Sequence, residues 1–247
     1  MKFIAHRGYS SLYPENSIEA FEAVIRHPEN NKTLIGFECD IQMTADYRIA
    51  IMHNTSIADT SGKKVDIGAI SLDHLRTLYR KSVHNPECIL PDIHDVLKTV
   101  DHRTGICFEI KAGAWEREIF IPLLVEALES YRPAGDVTVS SFSGEILHAA
   151  IAATRRLELR YAFIFDRWES WKALSTSVKQ ALDFIHPHFK FVIQEPHKIS
   201  ACNIPVQCWT VNDPAVVRSI IDMSQKESNI HALMTDDLRL CEQFKDS

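Results

Sequence analysis

The run Gly36-Phe37-Glu38-Cys39-Asp40-Ile41-Gln42 alternates with the two-residue period of a β-strand, sending Phe37, Cys39 and Ile41 to one face and Glu38 and Asp40 to the other. Two carboxylates thus share one face of a strand whose other face is apolar. In a barrel interior they would repel each other and be poorly solvated, so the pattern demands a cation or a raised pKa, and a divalent ion is the obvious resolution. The run Cys107-Phe108-Glu109-Ile110-Lys111 repeats the device, with Cys107, Glu109 and Lys111 opposite Phe108 and Ile110.

Outward from these two runs, short apolar stretches alternate with amphipathic ones along the whole chain. The pattern predicts strands over 3–8, 35–42, 104–111, 136–141, 157–164, 181–186, 204–211 and 230–235. Helical patterns over 17–26, 116–131, 144–154, 168–179 and 214–223 lie between most of them, the order that yields parallel strands with crossover helices. Asn16 with Glu19 three residues on predicts the start of the first helix. The fold class is α/β, a (β/α)8 TIM barrel, and the 247 residues suit one such domain over 1–247. Residues 54–103 exceed an ordinary connection and carry helical patterns at 71–79 and 92–100. They predict a small insertion above the barrel after the second strand.

Composition narrows the partners. A formal charge of −6 without a basic stripe argues against nucleic-acid binding. No run is long and apolar enough to span a membrane, and the start at Met1-Lys2-Phe3 leaves no room for a leader, so the expectation is a soluble cytoplasmic protein without stable membrane insertion. Cys39, Cys88, Cys107, Cys202, Cys208 and Cys241 are scattered with no C-x-x-C pair, which disfavours both disulfides and a zinc-thiolate site.

The segment 42–48 reads as a turn between the second strand and a returning run at 48–53. Centred near Ala45-Asp46, it pairs position 38 with about 53 and sets His53 beside Glu38. The first strand ends in His6-Arg7-Gly8, so a second histidine and an arginine emerge at the C-terminal rim, where barrel enzymes carry their chemistry, and Gly8 lets the chain turn close to a ligand. Together these residues supply histidines for proton transfer (His6, His53), carboxylates for a hard cation (Glu38, Asp40, Glu109) and cations for an anion (Arg7, Lys111), a set suited to phosphoryl or phosphodiester chemistry. Each has a plainer reading alone. A histidine is more often structural, the assignment made for His27, His84, His94, His102, His148 and His231, and Glu109-x-Lys111 could be a surface ion pair worth under about 1 kcal/mol. Independent accidents would not place so many titratable groups at successive strand ends of an apolar barrel.

His6-Arg7-Gly8, Pro14-Glu15-Asn16-Ser17, Ala20-Phe21, Glu38-Cys39-Asp40-Ile41 and His53-Asn54 resemble the N-terminal signature of the glycerophosphodiester phosphodiesterases. The likeness continues through Leu90-Pro91-Asp92-Ile93, Glu109-Ile110-Lys111, Ser140-Ser141-Phe142, Trp209-Thr210-Val211-Asn212 and Thr235-Asp236. The resemblance implies a barrel enzyme that hydrolyses small glycerophosphodiesters to sn-glycerol 3-phosphate and an alcohol with Mg²⁺ or Ca²⁺, Mn²⁺ also being suited. It implies Glu38, Asp40 and Glu109 as metal ligands, His6 and His53 as the acid–base pair, Arg7 and Lys111 on the phosphate, and Trp209 in the pocket wall. Analogy with related barrels favours attack by the glycerol 2-hydroxyl, through a cyclic phosphate, over direct attack by water. The family usually has Asp where Asn54 stands, Gly at Tyr47, Thr at Ser17 and Pro at Leu238; an amide at 54 can only hydrogen-bond to His53. Phospholipase C or sphingomyelinase-D-like cleavage would call for membrane-binding aromatic or basic loops. Segment 57–85 carries Lys63, Lys64, Arg76, Arg80 and Lys81 but few aromatics, which favours small soluble diesters. A non-catalytic phosphodiester-binding module would have lost a histidine or a ligand, and a barrel aldolase or isomerase fits two histidines poorly.

Overall fold

A computed structural model of the chain describes residues 1–82, 89–100, 103–113, 116–131, 136–225 and 229–246. From the N-terminus its elements are β1 (Lys2–Ala5), α1 (Ile18–Ile25), β2 (Leu34–Met43), β3 (Ile49–Ile51), β4 (Ser56–Ala58), β5 (Lys64–Asp66), a 3₁₀ turn (Ile67–Ala69), α2 (Leu72–Ser82) and α3 (Ile93–Thr99). There follow β6 (Gly105–Ile110), α4 (Arg117–Tyr131), β7 (Val137–Ser141), α5 (Gly144–Thr154), β8 (Arg160–Phe165), α6 (Trp168–Ala173) and α7 (Thr176–Ala181). The chain closes with β9 (Phe184–Pro187), α8 (Phe189–Gln194), α9 (Pro196–Ser200), β10 (Val206–Cys208), α10 (Pro214–Ser224), β11 (Ile230–Thr235) and α11 (Arg239–Gln243). Strands β1, β2, β6, β7, β8, β9, β10 and β11 pair in parallel in that order, and β11 returns to β1 to close the barrel.

The alternation read in the sequence is what builds the core. Phe37, Cys39 and Ile41 of β2 and Phe108 and Ile110 of β6 are buried in the main apolar cluster with the helices, leaving Glu38, Asp40 and Glu109 on the opposite face. Helix α1 covers β2 through Ala20, Phe21 and Val24, and Phe21 stacks on Phe37 at 4.5 Å between ring centroids. Its cap is Ser17, whose Oγ accepts from Ala20 N at 3.2 Å. The expected start at Asn16 was one residue early, because Asn16 adopts φ 58 and its side chain is engaged elsewhere.

All eight expected barrel strands are present, with shifted ends. β1 stops at Ala5, since Arg7 (φ 58) and Gly8 (φ 78) turn the chain off the sheet. The 168–179 pattern divides into α6 and α7, because Ser175 starts a new helix by accepting from Val178 N. Helices α8 and α9 went unforeseen; at six and five residues they are too short to show a helical period.

The connection after β2 falls into two parts. β3 folds back antiparallel on β2 with Ile41 opposite Ile51, one residue out of the expected pairing, because Tyr47 takes φ 59 and lengthens the turn. Met52, Ile57, Ile67, Leu72, Leu75, Leu78 and Leu90 then form a second, smaller core. Helix α3 is different: Ile93, Val96 and Leu97 join the main core, and the helix packs against α1 and α4 in the outer ring. Within the expected insertion 54–103, α3 is therefore the barrel's own crossover helix between β2 and β6.

Gly36 (φ 154) faces Gly105 across the β2–β6 pair, and a Cβ on Gly36 would overlap the Gly105 carbonyl. A Cβ on Gly105 would in turn stand 2.7 Å from Ile35 O. Replacing Gly36 by Ala should therefore destabilise the barrel by on the order of 1–3 kcal/mol, the usual cost of forcing atoms into a packed interior. Urea titration measures it, and an unchanged midpoint would mean that the two strands separate freely.

Candidate functional site

The upper edge of β2 is shared between two neighbours. β1 pairs with its lower half, Phe3 with Leu34 and Ala5 with Phe37, while β3 pairs with its upper end from Ile41. Between them the backbone groups around 38–40 find other partners, as buried amides must. Asp40 N donates to Asn16 Oδ1 (3.2 Å), Met52 N donates to Asp40 O (2.9 Å), and Arg7 N donates to Glu38 Oε2 (3.0 Å). This gap in the ladder is where the turn after β1 and the end of the β3 hairpin approach the acids.

Glu38, Asp40 and Glu109 are all buried, and one carboxylate oxygen from each lies within 4.8 Å of the others. Burial, then the charges of Asp40 and Glu109, push the Glu38 carboxyl well above the usual range. Glu109 is likewise raised by burial and by Asp40, against the opposing pull of Lys111. The flanking cations relieve only part of this. Lys111 Nζ is 2.6 Å from Glu109 Oε1 and 3.3 Å from Asp40 Oδ1; Arg7 Nε is 3.3 Å from Asp40 Oδ2, and its Nη1 donates to Glu15 Oε2 at 2.8 Å. Burial pulls both cations' pKa values down, but the surrounding acids outweigh it, so Arg7 and Lys111 stay charged. Glu38 Oε1 and Asp40 Oδ1 remain buried without a hydrogen bond. One orphaned hard oxygen on Glu38, a second on Asp40 held only by the ion pair with Lys111, and a third carboxylate in reach fit a divalent cation of the Mg²⁺, Ca²⁺ or Mn²⁺ type.

His6 extends from β1 and its Nδ1 lies 2.7 Å from Asp236 Oδ1. His53 follows β3, with Nδ1 3.3 Å from Asn54 Oδ1, and burial followed by Lys111 and Arg7 lowers its pKa against the pull of Asp40. His6, Arg7, Glu38, His53, Glu109, Lys111 and Trp209 line one cavity of about 140 Å³ at the C-terminal ends of the strands. Of the residues expected from sequence, Asp40 alone is absent from that lining; it is fully buried and reaches the group through its carboxylate. Trp209 is held by a bond from Nε1 to His186 O (2.7 Å) and meets the Phe142 and His188 rings edge-on at 5.6 and 5.2 Å.

Several contributors escaped the sequence reading. Asn16 grips Asp40 from both ends, its Nδ2 donating to Asp40 Oδ2 at 2.8 Å. Asp236, Asn212 and Ser10 surround His6. The signal for Asp236 was available: β11 closes on β1 with Thr235 opposite Ala5, which puts the next residue of each strand side by side. Of the histidines assigned to structural roles, His27 Nδ1 accepts from Glu29 N and His231 contacts Gln207, while His94 and His148 are exposed. His84 and His102 lie outside the described residues, as does Cys88. The other five cysteines are free.

A cleft at the C-terminal rim of a (β/α)8 barrel that combines buried acids with charged Arg7 and Lys111 defines a barrel enzyme acting on an anionic substrate. The comparisons agree with that class and narrow it. The model of the glycerophosphoryl diester phosphodiesterase family matches residues 6–240, and the chain belongs to that family. It is 26% identical over 218 residues to an uncharacterized protein of Mycoplasma genitalium, covering 85% of this chain and 86% of that one. It is 21% identical to a glycerophosphodiester phosphodiesterase of Caldanaerobacter subterraneus, covering 95% and 93%. Among solved structures, a phosphodiesterase of Oleispira antarctica in complex with the product sn-glycerol-3-phosphate superposes with a TM-score of 0.78 at 20% identity, covering 100% of this chain and 97% of that one.

One buried group beside the cavity gives stability a pH dependence. His186 is buried, with Nε2 2.9 Å from Gln207 Oε1, and burial holds its pKa down to about 3. The unfolded chain takes up this proton near pH 6.5 and the folded barrel does not until about pH 3. Between those values stability falls as pH falls, by up to about 1.4 kcal/mol per pH unit from this residue. His186→Gln should flatten that part of the profile in urea titrations from pH 7 to 4. Parallel profiles for the two proteins would mean that His186 charges freely in the fold.

Proposed function

We propose that the chain is a metal-dependent glycerophosphodiesterase, working as one domain in the cytoplasm, that splits small glycerophosphodiesters into sn-glycerol 3-phosphate and an alcohol. The observation that carries this reading is the buried Glu38–Asp40–Glu109 group, with two oxygens that lack a hydrogen bond, in one site with Arg7, Lys111 and two histidines. The product bound in the Oleispira structure supports the substrate class. Glu38, Asp40 and Glu109 would hold the cation, which supplies charge neutralisation and Lewis acidity at a phosphate oxygen when bound. Arg7 and Lys111, kept charged by their acids, attract the phosphate. His6 and His53 move protons at the nucleophile and the leaving alcohol. Phe142 and Trp209 give the cavity an aromatic wall that shields the reacting atoms from bulk water. No described helix is long and apolar enough to cross a membrane.

Purified protein should release glycerol 3-phosphate from at least one of a panel of glycerophosphodiesters with varied head groups, and chelation should stop the release. Silence on the whole panel, or full activity after chelation, would refute the reading. Variants separate the roles further. Glu38→Gln, Asp40→Asn and Glu109→Gln should weaken divalent-ion binding in calorimetry. His6→Ala and His53→Ala should bind the ion as the parent does while losing roughly 10²–10⁴-fold in turnover, the usual acid–base contribution. Histidine variants with parental turnover at saturating metal would remove these side chains from the chemistry.

A further inference from the structure

Asp236 is held at both oxygens. Oδ1 lies 2.7 Å from His6 Nδ1 and accepts from Ser10 Oγ at 3.0 Å, and Oδ2 accepts from Asn212 Nδ2 at 2.6 Å. Asn212 is fixed in turn, its Oδ1 accepting from Asp236 N (2.9 Å) and Thr235 Oγ1 (3.1 Å). Although burial opposes ionisation, the bond and charge of His6 and the bonds from Asn212 and Ser10 hold the Asp236 carboxyl below its usual range. An ionised carboxylate only accepts, so His6 Nδ1 must donate, and the ring nitrogen left with a lone pair is Nε2. His53 has no such support. Its Nδ1 meets the neutral amide oxygen of Asn54 at 3.3 Å, which orients the ring but adds no charge.

We propose that Asp236 is a positioning residue that fixes His6 as the Nδ1–H tautomer and stabilises its imidazolium, making His6 Nε2 the proton acceptor of the cleavage step. The inference rests on the phosphodiesterase reading of the site. In that step the attacking hydroxyl or water gives its proton to Nε2 as its oxygen bonds to phosphorus. The P–O bond to the alcohol breaks with its electron pair on the alcohol oxygen, which takes a proton from protonated His53, and solvent returns the proton from His6 to His53. The barrel's closure makes the arrangement possible, because the acid and the histidine come from opposite ends of the chain and meet only where β11 joins β1.

The test uses the full chain labelled with ¹⁵N-histidine, with His6→Gln identifying the His6 signals. The parent should show His6 as the Nδ1–H tautomer, and Asp236→Asn should shift it toward Nε2–H. On a glycerophosphodiester of an aliphatic alcohol, Asp236→Asn should lower kcat by roughly 10²–10⁴-fold while KM and metal affinity stay near the parent's. The loss should persist with p-nitrophenol as leaving group, which needs no proton to depart. Should Asp236→Asn fold poorly, Asn212→Ala frees the far oxygen and should give the same pattern more weakly. A parental His6 in the Nε2–H form, a tautomer unmoved by Asp236→Asn, or recovery of the variant on the p-nitrophenyl ester would each overturn the proposal. Failure of the parent to release glycerol 3-phosphate from either ester would instead overturn the functional reading, and the tautomer would still decide whether Asp236 fixes His6.

Discussion

Three carboxylates buried on the inner face of two adjacent strands are the constraint around which the rest of this barrel is arranged. Carboxylates removed from water and set close together repel strongly, and a protein keeps them only by surrounding them with compensating charge and donors. Here Lys111 and Arg7 lie against them, Asn16 grips Asp40 by side chain and backbone, and the Arg7 amide donates to Glu38. Two of these groups cost local geometry. Asn16 and Arg7 both occupy the left-handed region, and Gly8 beside Arg7 does the same, so the turn after β1 is shaped by what the acids need. Even so, two buried oxygens keep no hydrogen-bond partner, and two acids are pushed toward protonation. A cation would relieve both at once, so the features that make these acids costly to bury are the ones that suit the barrel to a divalent ion.

Much of this could be read from the chain. The strand period placed Glu38 and Asp40 on one face and Phe37, Cys39 and Ile41 on the other, because alternation in a barrel strand is a direct consequence of burial on two unlike sides. Eight strands in order followed from eight apolar runs. What failed were details fixed by backbone conformations that side-chain patterns do not report. Tyr47 at positive φ moved the β2–β3 pairing by one residue, and Asn16 at positive φ handed the helix cap to Ser17. Asp236 was missed for another reason: its importance appears only when the last strand is laid beside the first, a contact of residues 230 apart in sequence. Helices as short as α8 and α9 leave no periodic trace at all.

The two histidines are carried by unlike parts of the fold. His6 leaves a strand of the closed barrel, while His53 follows β3, whose Ile49 and Ile51 lie in the main core and whose Ala50, with Met52, joins the small core of Ile57, Leu72, Leu75 and Leu78. Proteins open locally at less cost than they unfold, and regions with separate small cores are natural units of such opening. An opening confined to that small core would loosen the support of Met52 beside His53 and leave His6, Glu38, Asp40, Glu109 and barrel closure in place. The two histidines therefore answer to different supports, and loosening the smaller core would disturb the surroundings of His53 while the β1–β11 pairing that carries His6 stayed closed.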